Sequence, residues 1–268
     1  MEKTLAGNVA FVTGSGRGLG RAIAERLAEL GADVAIHDET HEAPAEFGEA
    51  EHLDVVAAAV ARFGGRTATV TGDIANESAV GAMVEQVVSD LGPISVLINC
   101  AGGDIAARGG KPQPNDALGI PLEDVHALLD RNLIGTMLLC RAVCPSMIER
   151  NAGSVINIAS AAAHYGISPG VVYSVAKAAV VQFTRCLALE LRPHGVRANV
   201  VSPGPTMTAR FLATREVEPE MMHESTSLAR YGVPAEVADA IAFLAGDAGR
   251  FVSGQVLRVD GGRSIFPA

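Results

Sequence analysis

The sequence predicts an α/β protein built as one domain, residues 1–268, around a doubly wound parallel sheet of about seven strands with helices on both faces. Short runs of β-branched residues alternate with longer helical patterns, which is typical of a parallel sheet covered on both sides. Hydrophobic residues make up 49% of the chain and supply one substantial core. No repeat, low-complexity tract or linker divides the sequence.

The predicted elements follow one another in strand–helix order. Strand segments occupy 8–13, 33–37, 67–71, 95–99, 154–158, 198–202 and 255–260. Helical patterns occupy 19–30, 52–63, 77–91, 122–150, 172–192 and 235–245. Three stretches are predicted loops: 38–51, 102–121 and 206–231. The last of them lies between a strand and the final helix and is the expected substrate lid, whereas the bland interpretation of the other two is solvated surface.

Two of the predicted helices are too apolar to be covered by the sheet alone. In 172–192 apolar residues fall nearly all round the helix, and 122–150 is long and rich in Leu and Met. Such helices need cover on more than one side. Burial under the chain's own loops is the weaker alternative, because no spare domain is available. A homo-oligomer, either a dimer or a homotetramer, is therefore expected through these two helices.

Charge and cysteine content narrow the class of protein. A formal net charge of −9 and a pI near 5.3 argue against nucleic acid as a partner, since phosphate binding needs a basic face. The four cysteines lack a C-x-x-C pair and a neighbouring ligand set, which favours free thiols in a reducing compartment over disulfides or a metal site. With no signal segment or apolar run of membrane length, a cytoplasmic protein without membrane contact is expected.

A glycine-rich segment follows the first strand and opens into the first helix. Its sequence fits T-G-x-x-x-G-x-G and does not fit G-x-G-x-x-G. Glycine permits a tight turn and a close approach to a pyrophosphate, whose charge is stabilised at the helix N-terminus. The segment is therefore predicted to bind a dinucleotide. The predicted contacts are Gly14, Ser15, Arg17, Gly18, Leu19 and Gly20.

The end of the second strand bears on which dinucleotide is bound. Asp38 stands there, and an acidic side chain accepts hydrogen bonds from both ribose hydroxyls and repels a 2′-phosphate. Arg17 favours the opposite choice, because it can pair with a 2′-phosphate, unless it is a surface residue over the adenosine. NAD is the predicted cofactor, and NADP remains possible.

Three residues in the second half predict proton-transfer chemistry. Tyr173 and Lys177 are four residues apart and share a helix face, and Ser160 follows a predicted strand, where ligand sites of parallel sheets gather. Free tyrosine has a pKa of about 10. A nearby Lys177 ammonium, together with the positive charge of an oxidised nicotinamide, is expected to lower the pKa of Tyr173 and suit it to acid/base work. Ser160 can donate a hydrogen bond to a developing oxyanion.

These residues and several further motifs lie in the order typical of one enzyme family. Over nearly its whole length the chain resembles the short-chain dehydrogenases/reductases of the compact, single-domain branch. The sequence departs from the family's N-N-A-G at Cys100. The matching positions outside the glycine-rich loop are Asp73 with Ile74, Asn99-Cys100-Ala101-Gly102, Asn132, Ser160, Tyr173, Lys177, Pro203-Gly204 with Thr206 and Thr208, and 259–262.

The resemblance implies a Rossmann-type fold, an oxidoreductase acting on CH–OH donors, and a role for each motif. Asn132, Ser160, Tyr173 and Lys177 would form the catalytic set, with Lys177 also holding the nicotinamide ribose and Asn132 anchoring a water chain. The hydride moves between carbon atoms, so no metal is required. Adenine would be held by Asp73 and Ile74. The remaining cofactor contacts implied are Asn99, Ala101, Gly102, Tyr173, Pro203, Gly204, Thr206 and Thr208.

Substrate specificity is expected from loops at the strand ends. His164 can hydrogen-bond a hydroxyl or be a satisfied structural histidine, and Arg210 and Arg215 can pair with an anion or lie exposed on the lid. These polar groups favour a small hydroxylated substrate, such as a sugar, polyol or hydroxy acid. The candidate substrate residues are Asp104, Ala162, His164 and Arg210.

Two other functions remain open at this point. An NADPH-dependent 3-oxoacyl or carbonyl reductase is one, although Asp38 opposes it. A catalytically silent nucleotide-binding scaffold is the other, although such a scaffold would not need Asn132, Ser160, Tyr173 and Lys177.

Overall fold

Runs of apolar, largely β-branched residues form the strands of a single parallel sheet, as the sequence predicts. The computed structural model describes residues 3–223 and 226–265. The strands are β1 (Val9–Val12), β2 (Asp33–Asp38), β3 (Thr67–Thr71), β4 (Val96–Asn99), β5 (Gly153–Ile158), β6 (Val196–Pro203) and β7 (Val256–Val259). Their order is β3-β2-β1-β4-β5-β6-β7, and every neighbouring pair is parallel.

Helices cover both faces of this sheet. They are α1 (Gly18–Glu29), α2 (Leu53–Ala61), α3 (Glu77–Leu91), α4 (Leu122–Leu129), α5 (Gly135–Glu149), α6 (Val171–Leu191), α7 (Ala209–Thr214) and α8 (Pro234–Ala245). On one face α1, α2 and α8 bury Ile23, Val56 and Ile241 against β1 and β2. On the other, α3, α5 and α6 bury side chains such as Val87 and Met147 around Phe11 and Leu97. The predicted fold class is confirmed.

The direction of winding reverses at β1, and this reversal creates a crevice. β1 pairs with β2 on one side and with β4 on the other. The loops leaving the carboxyl ends of β1 and β4 therefore diverge, which is where doubly wound sheets bind ligands. Thr13 ties the two loops together, because its Oγ1 accepts the amides of Cys100 and Ala101, each at 3.1 Å.

One predicted helix was wrong. The segment 122–150 is not one regular helix, because a π-helical turn, Asp130–Ile134, separates α4 from α5. One extra residue in a turn leaves no mark on an apolar pattern, and such turns often lie at functional sites; this one carries the buried Asn132. The lid 206–231 contains the short helix α7, and its residues 224 and 225 lie outside the described part of the chain.

Helix α6 has one face that is buried against the sheet and an opposite face with exposed apolar residues. Contrary to the expectation that the chain holds no apolar run of membrane length, the segment Val171–His194 is long and apolar enough to span a membrane by length and composition alone. In the structure one face of α6 packs on the sheet and buries residues including Lys177 and Leu187. The opposite face leaves Val175 and Leu189 exposed, at 55% and 69% of their surface. The part of the chain that the structure describes offers no cover for that outer face.

Candidate active site

The glycine-rich loop lies at the mouth of the crevice in a conformation that larger residues could not adopt. Gly14 has φ +64°, and a Cβ there would stand 2.8 Å from the Ala101 Cα. A Cβ on Gly20 would stand 2.1 Å from the Gly14 carbonyl oxygen. The loop is therefore pressed against α1 and against the end of β4, and its backbone is left open toward the crevice, as a phosphate-binding turn requires.

Most of the predicted cofactor residues line this crevice together. They come from the carboxyl ends of β1, β2, β3 and β4 and from the start of α7. The predicted cofactor residues found there are Gly14, Arg17, Gly18, Leu19, Gly20, Asp38, Asp73, Ile74, Ala101, Gly102 and Thr208, and the predicted substrate residue Arg210 lines the same crevice.

Asp38 offers the clearest indication of what the crevice binds. One carboxylate oxygen, Oδ1, accepts the Glu39 amide at 3.0 Å. The other, Oδ2, is buried and has no hydrogen-bond partner among the described residues. A buried acceptor without a donor is costly. The ribose hydroxyls of an adenosine would supply the missing donor, so the crevice fits the adenosine half of a nicotinamide dinucleotide.

A buried histidine that the sequence analysis missed holds this end of the site together. The amide of Gly14 donates to His37 Nδ1 at 3.1 Å, and His37 Nε2 lies 3.0 Å from the Gly72 carbonyl oxygen. Accepting at Nδ1 and donating at Nε2 requires the neutral imidazole. Burial lowers the pKa of His37, which favours that neutral form. His37 therefore links the glycine-rich loop to the Gly72–Asp73 turn.

Two predicted cofactor residues have side chains turned into the core instead. Ser15 donates to the Val12 carbonyl oxygen at 2.7 Å and accepts the His37 amide at 2.9 Å. Asn99 donates to Asn157 Oδ1 at 2.8 Å, beneath the sheet edge. Both side chains are buried. These side chains fix the backbone of the two loops, and the assignment of Ser15 and Asn99 as cofactor contacts stays a prediction that would rest on their backbone groups.

The segment after β6 takes its shape from backbone packing. A Cβ on Gly204 would lie 2.8 Å from the Asp260 Cβ, so this glycine permits contact with the C-terminal 259–262 motif. Pro203 ends β6, and Thr206 Oγ1 donates to the Gly204 carbonyl oxygen at 3.0 Å. Thr208 caps α7 by accepting the amide of Phe211 at 3.1 Å. Of this group, Thr208 lines the crevice.

The predicted catalytic residues meet at the ends of β4 and β5. Lys177 is buried on α6 and donates to the Ile158 carbonyl oxygen at 2.9 Å. Its Nζ lies 5.9 Å from the centroid of the Tyr173 ring, and the Ser160 hydroxyl interacts with the Tyr173 phenol. The Ala162 amide donates to Ser160 Oγ at 3.2 Å. Ala162, a predicted substrate residue, thus orients Ser160 through its backbone.

Asn132 is joined to this group through Gly102 and Gly103. Its Oδ1 accepts the Gly103 amide at 2.8 Å, and its Nδ2 donates to the carbonyl oxygens of Gly103 and Leu128, each at 2.9 Å. A Cβ on Gly102, at φ +150°, would stand 2.6 Å from Asn132 Oδ1 and 3.3 Å from Lys177 Nζ. Only glycine fits between the two side chains, so all four predicted catalytic residues are in one place.

The expected effect of Lys177 on Tyr173 is wrong for the protein alone. Burial raises the pKa of Tyr173, opposed by the interaction with Ser160 and by the charges of Arg215 and Arg210. Burial also lowers the pKa of Lys177 to about 8. Both side chains are buried in the same place, and loss of hydration is the largest cause of each shift. A further positive charge is needed beside Tyr173 to favour the phenolate.

The 102–121 loop folds back over the entrance to α6 and is not simply solvated surface. Asp104 Oδ2 accepts from Asn115 Nδ2 at 3.0 Å, and the Asn115 carbonyl oxygen accepts the Gly170 amide at 2.9 Å. The Oδ1 atoms of Asp104 and Asn115 are buried without a hydrogen-bond partner in the described chain. Asp104 also raises the pKa of Tyr173, although less than burial does. Two unpaired acceptors therefore lie on this loop, and the charge of one of them, Asp104, influences the catalytic tyrosine.

Arg210 lies over the same region from the lid side. A Cβ on Gly103 would be 2.6 Å from its Nη1. Its side chain is half-buried, and within residues 3–223 and 226–265 it makes no ion pair. Burial lowers the pKa of Arg210, with Arg17 adding to the effect. Desolvation followed by the charge of Arg215 lowers the pKa of Lys111, so these cations are near enough to influence one another.

His164 is a structural histidine. Its Nε2 lies 2.9 Å from the Ser202 Oγ, and the charges that influence it belong to Arg258, Arg185 and Asp260 rather than to the catalytic group. Burial lowers the pKa of His164, which favours the neutral ring. The turn after Ser160 directs the His164 ring toward β6, which favours the structural alternative over contact with substrate.

Glu49 occupies a position that the sequence analysis did not anticipate. Its Oε2 accepts the Gly18 amide at 2.8 Å, at the N-terminus of α1, and its Oε1 is buried without a partner among the described residues. The neighbouring Arg17 pairs with Glu46 and donates to the Ala43 carbonyl oxygen at 2.9 Å. The predicted 38–51 loop thus covers the glycine-rich loop, and Arg17 is already paired.

Comparison with known proteins agrees with this geometry. The family model described as enoyl-(acyl carrier protein) reductase matches residues 14–264. A cyclohexanol dehydrogenase from Rhodococcus sp. (strain TK6) is 35% identical over 264 residues, covering 96% of each chain. A 3-oxoacyl-[acyl-carrier-protein] reductase from Synechocystis sp. is 36% identical over 266 residues, covering 98% of this chain and 99% of the relative.

Solved structures give the same result. A protein described as a gluconate dehydrogenase from Agrobacterium tumefaciens aligns with a TM-score of 0.84 and 28% identity, covering 99% of this chain and 100% of that one. A 7α-hydroxysteroid dehydrogenase complexed with NADH and 7-oxoglycochenodeoxycholic acid aligns with a TM-score of 0.83 and 30% identity, covering 97% and 96%. The chain belongs to the short-chain dehydrogenase/reductase family, whose members bind a nicotinamide cofactor and act on alcohol or ketone groups.

Replacement of Tyr173 by Phe tests the catalytic group. Because only the hydroxyl is lost, we expect the turnover number to fall by about 10²–10⁴-fold or more. A tenfold change in affinity corresponds to about 1.4 kcal/mol. We expect the cofactor affinity, measured by calorimetry, to change by much less than this and to stay within about twofold of the parent value. Turnover equal to that of the parent would show that Tyr173 does not transfer the proton.

Replacement of Glu49 by Gln tests whether its charge competes with the cofactor. The Glu49 carboxylate accepts the Gly18 amide, which a bound pyrophosphate would need as a hydrogen-bond donor. Its negative charge also repels that of the pyrophosphate. Charge-assisted hydrogen bonds contribute about 1.5–3 kcal/mol, so we expect dinucleotide affinity to rise by about tenfold. The exposed Glu51, replaced by Gln, is the matched control. Unchanged or weaker binding in the Glu49 variant alone would contradict this account.

Proposed function

We propose that the protein is an NAD-dependent dehydrogenase that interconverts a secondary alcohol and a ketone on a small, polar, hydroxylated substrate. The observation that carries this proposal is the meeting of Tyr173, Ser160, Lys177 and Asn132 beside the dinucleotide crevice. A catalytically silent scaffold would not need this group, and its four members are all in place.

The chain's own residues divide the work among binding, orientation and proton transfer. Ser160 donates a hydrogen bond to the substrate oxygen and holds it next to the Tyr173 hydroxyl. Tyr173 takes the alcohol proton during oxidation and returns it during reduction. Lys177 places a positive charge nearby, and Asn132 holds the Gly103 backbone that borders it. The nicotinamide, when bound, accepts or gives the hydride.

Two features support NAD over NADP. Asp38 Oδ2 is an acceptor without a donor among the described residues, and a 2′-phosphate placed there would bring two negative charges together. Arg17, the candidate partner for that phosphate, is paired with Glu46. The 3-oxoacyl reductase among the relatives keeps an NADPH-dependent reductase as the second candidate.

The polar groups around Tyr173 support a hydroxy acid or sugar acid as the substrate class. Asp104 and Asn115 each keep a buried oxygen without a donor, which hydroxyl groups would satisfy. Arg210 is a half-buried cation without an ion-pair partner in the described chain, and a carboxylate would pair with it. The solved neighbour described as a gluconate dehydrogenase acts, by that description, on an acid of this class.

We also propose that the protein works as a homo-oligomer in the cytoplasm, with 122–150 and 172–192 in the interface. The exposed Val175 and Leu189 on the outer face of α6 support this assembly, since apolar surface of this kind favours contact with a second copy. A dimer or a tetramer would each satisfy the requirement.

One kinetic screen tests the proposed function. NAD and NADP reduction are measured over pairs of polyols and hydroxy acids that differ only in a carboxylate. We expect a preference for NAD of at least tenfold, and a preference of at least tenfold in kcat/KM for the acid of each pair. Arg210→Gln should remove the second preference by raising the KM for the acid, whereas the exposed Arg62→Gln should not.

The outcomes separate the parts of the proposal. Preference for NADP would favour the reductase alternative. If Arg210→Gln weakens only the binding of NAD, Arg210 contacts the cofactor phosphates. That result would contradict the proposal of an acid substrate. No activity with any alcohol or ketone, while NAD still binds, would support the silent scaffold.

A further inference from the structure

Two histidines and an aspartate come together at the base of the 38–51 loop, away from the catalytic group. His41 lies near the start of the loop. His52 occupies the N-cap position of α2, and Asp54 lies in the first turn of that helix. One ligand atom from each residue lies within 4.8 Å of the other two. His41 Nε2 and Asp54 Oδ2 are 3.0 Å apart, and the two imidazole rings stack with their centroids 4.8 Å apart.

The hydrogen bonds of this cluster leave one donor or acceptor without a partner. Asp54 uses its other oxygen, Oδ1, to accept from Thr69 Oγ1 at 3.3 Å, so its orientation is fixed. His52 Nδ1, by contrast, is buried and has no hydrogen-bond partner among the described residues. A buried imidazole nitrogen of this kind calls for a partner that the chain itself does not provide.

The donor set indicates the class of that partner. Two imidazole nitrogens and one carboxylate oxygen suit Zn²⁺ and similar first-row cations, whereas Mg²⁺ and Ca²⁺ prefer sites made of oxygen alone. Ligand atoms around a tetrahedral Zn²⁺ lie about 3.4 Å apart, given bonds of about 2.1 Å. The 3.0 Å pair is already close to this spacing, and because the three ligand atoms spread over as much as 4.8 Å, binding requires an imidazole to reorient toward the ion.

We propose that His41, His52 and Asp54 form a binding site for a divalent first-row cation, with Zn²⁺ as the reference ion. The side chains of His41 and Asp54 are 40% and 61% exposed, so the ion has direct access and water completes its coordination. This site takes no part in hydride or proton transfer. It is separate from the catalytic chemistry, which needs no metal.

The position of the site gives it a structural consequence. The Leu53 amide donates to the His41 carbonyl oxygen at 2.9 Å, so the two ends of the segment 42–51 already meet there. Within that segment, Glu46 forms an ion pair with Arg17, and Glu49 accepts a hydrogen bond from the Gly18 amide. An ion bound at the base would cross-link the two ends and restrict the segment that covers the glycine-rich loop.

The test is calorimetric titration of Zn²⁺ into the full chain, free of affinity tags and treated with a chelator. Every protein carries Cys186→Ser, because this exposed thiol can bind zinc by itself. We expect one ion to bind per chain in the parent. The affinity should fall at least tenfold in His52→Gln and in Asp54→Asn. His194→Gln, which alters a histidine in the turn before β6, is the matched control and should bind as the parent does.

Amide hydrogen exchange provides a second measurement. Zn²⁺ should slow exchange in peptides covering 42–51 of the parent, and this protection should be absent in His52→Gln. The proposal is overturned if the parent binds no ion, if both variants bind as tightly as the parent, or if binding leaves the exchange of 42–51 unchanged.

Discussion

The contact between the Lys177 ammonium and the Ile158 carbonyl oxygen is the constraint on which the site depends. It holds α6 to the end of β5 at 2.9 Å and leaves the charge buried between Gly102 and Tyr173. Burial lowers the pKa of Lys177 from 10.5 to about 8, which corresponds to about 3 kcal/mol of lost preference for the charged form. The surrounding chain has to be rigid for such a group to stay in place.

That rigidity comes from polar contacts between loops that leave different strands. Thr13 joins the loops after β1 and β4, His37 joins the glycine-rich loop to the turn after β3, and Asn132 clamps Gly103 on both sides. Each contact satisfies buried backbone groups that regular secondary structure cannot reach. The cofactor crevice and the catalytic group are therefore parts of one network at the carboxyl edge of the sheet.

The sequence was sufficient for the sheet and for the pairing of Tyr173 with Lys177, because both depend on local patterns, whereas Asn132 was assigned only through the resemblance to the family. Strand-like runs are short and apolar, and Tyr173 and Lys177 share a face through helical spacing alone. The π-helical turn at Asn132 was not predictable, since one extra residue leaves the apolar pattern intact. The positions of Glu49, His164 and Asp104 depend on how long loops fold back, and no spacing rule records that.

The pKa of Tyr173 shows the same limit more sharply. Proximity to Lys177 predicts a lowered pKa, whereas the structure shows that desolvation of the phenolate dominates. The sequence shows which charged residues lie close together, whereas the burial of a side chain depends on the folded structure. The chain therefore prepares the geometry for proton transfer and leaves the electrostatics incomplete until another positive charge lies beside the phenol.

The most direct test of this account is the ionisation of Tyr173 itself. The chain has three tyrosines, so ¹³C-labelled tyrosine gives three ring signals, and Tyr173→Phe identifies one of them. In the protein without cofactor, the Tyr173 signal should still be that of the neutral phenol at about pH 10, the ordinary tyrosine pKa. Saturation with oxidised NAD should move it toward the phenolate. A Tyr173 that ionises below that pH without cofactor would contradict the account.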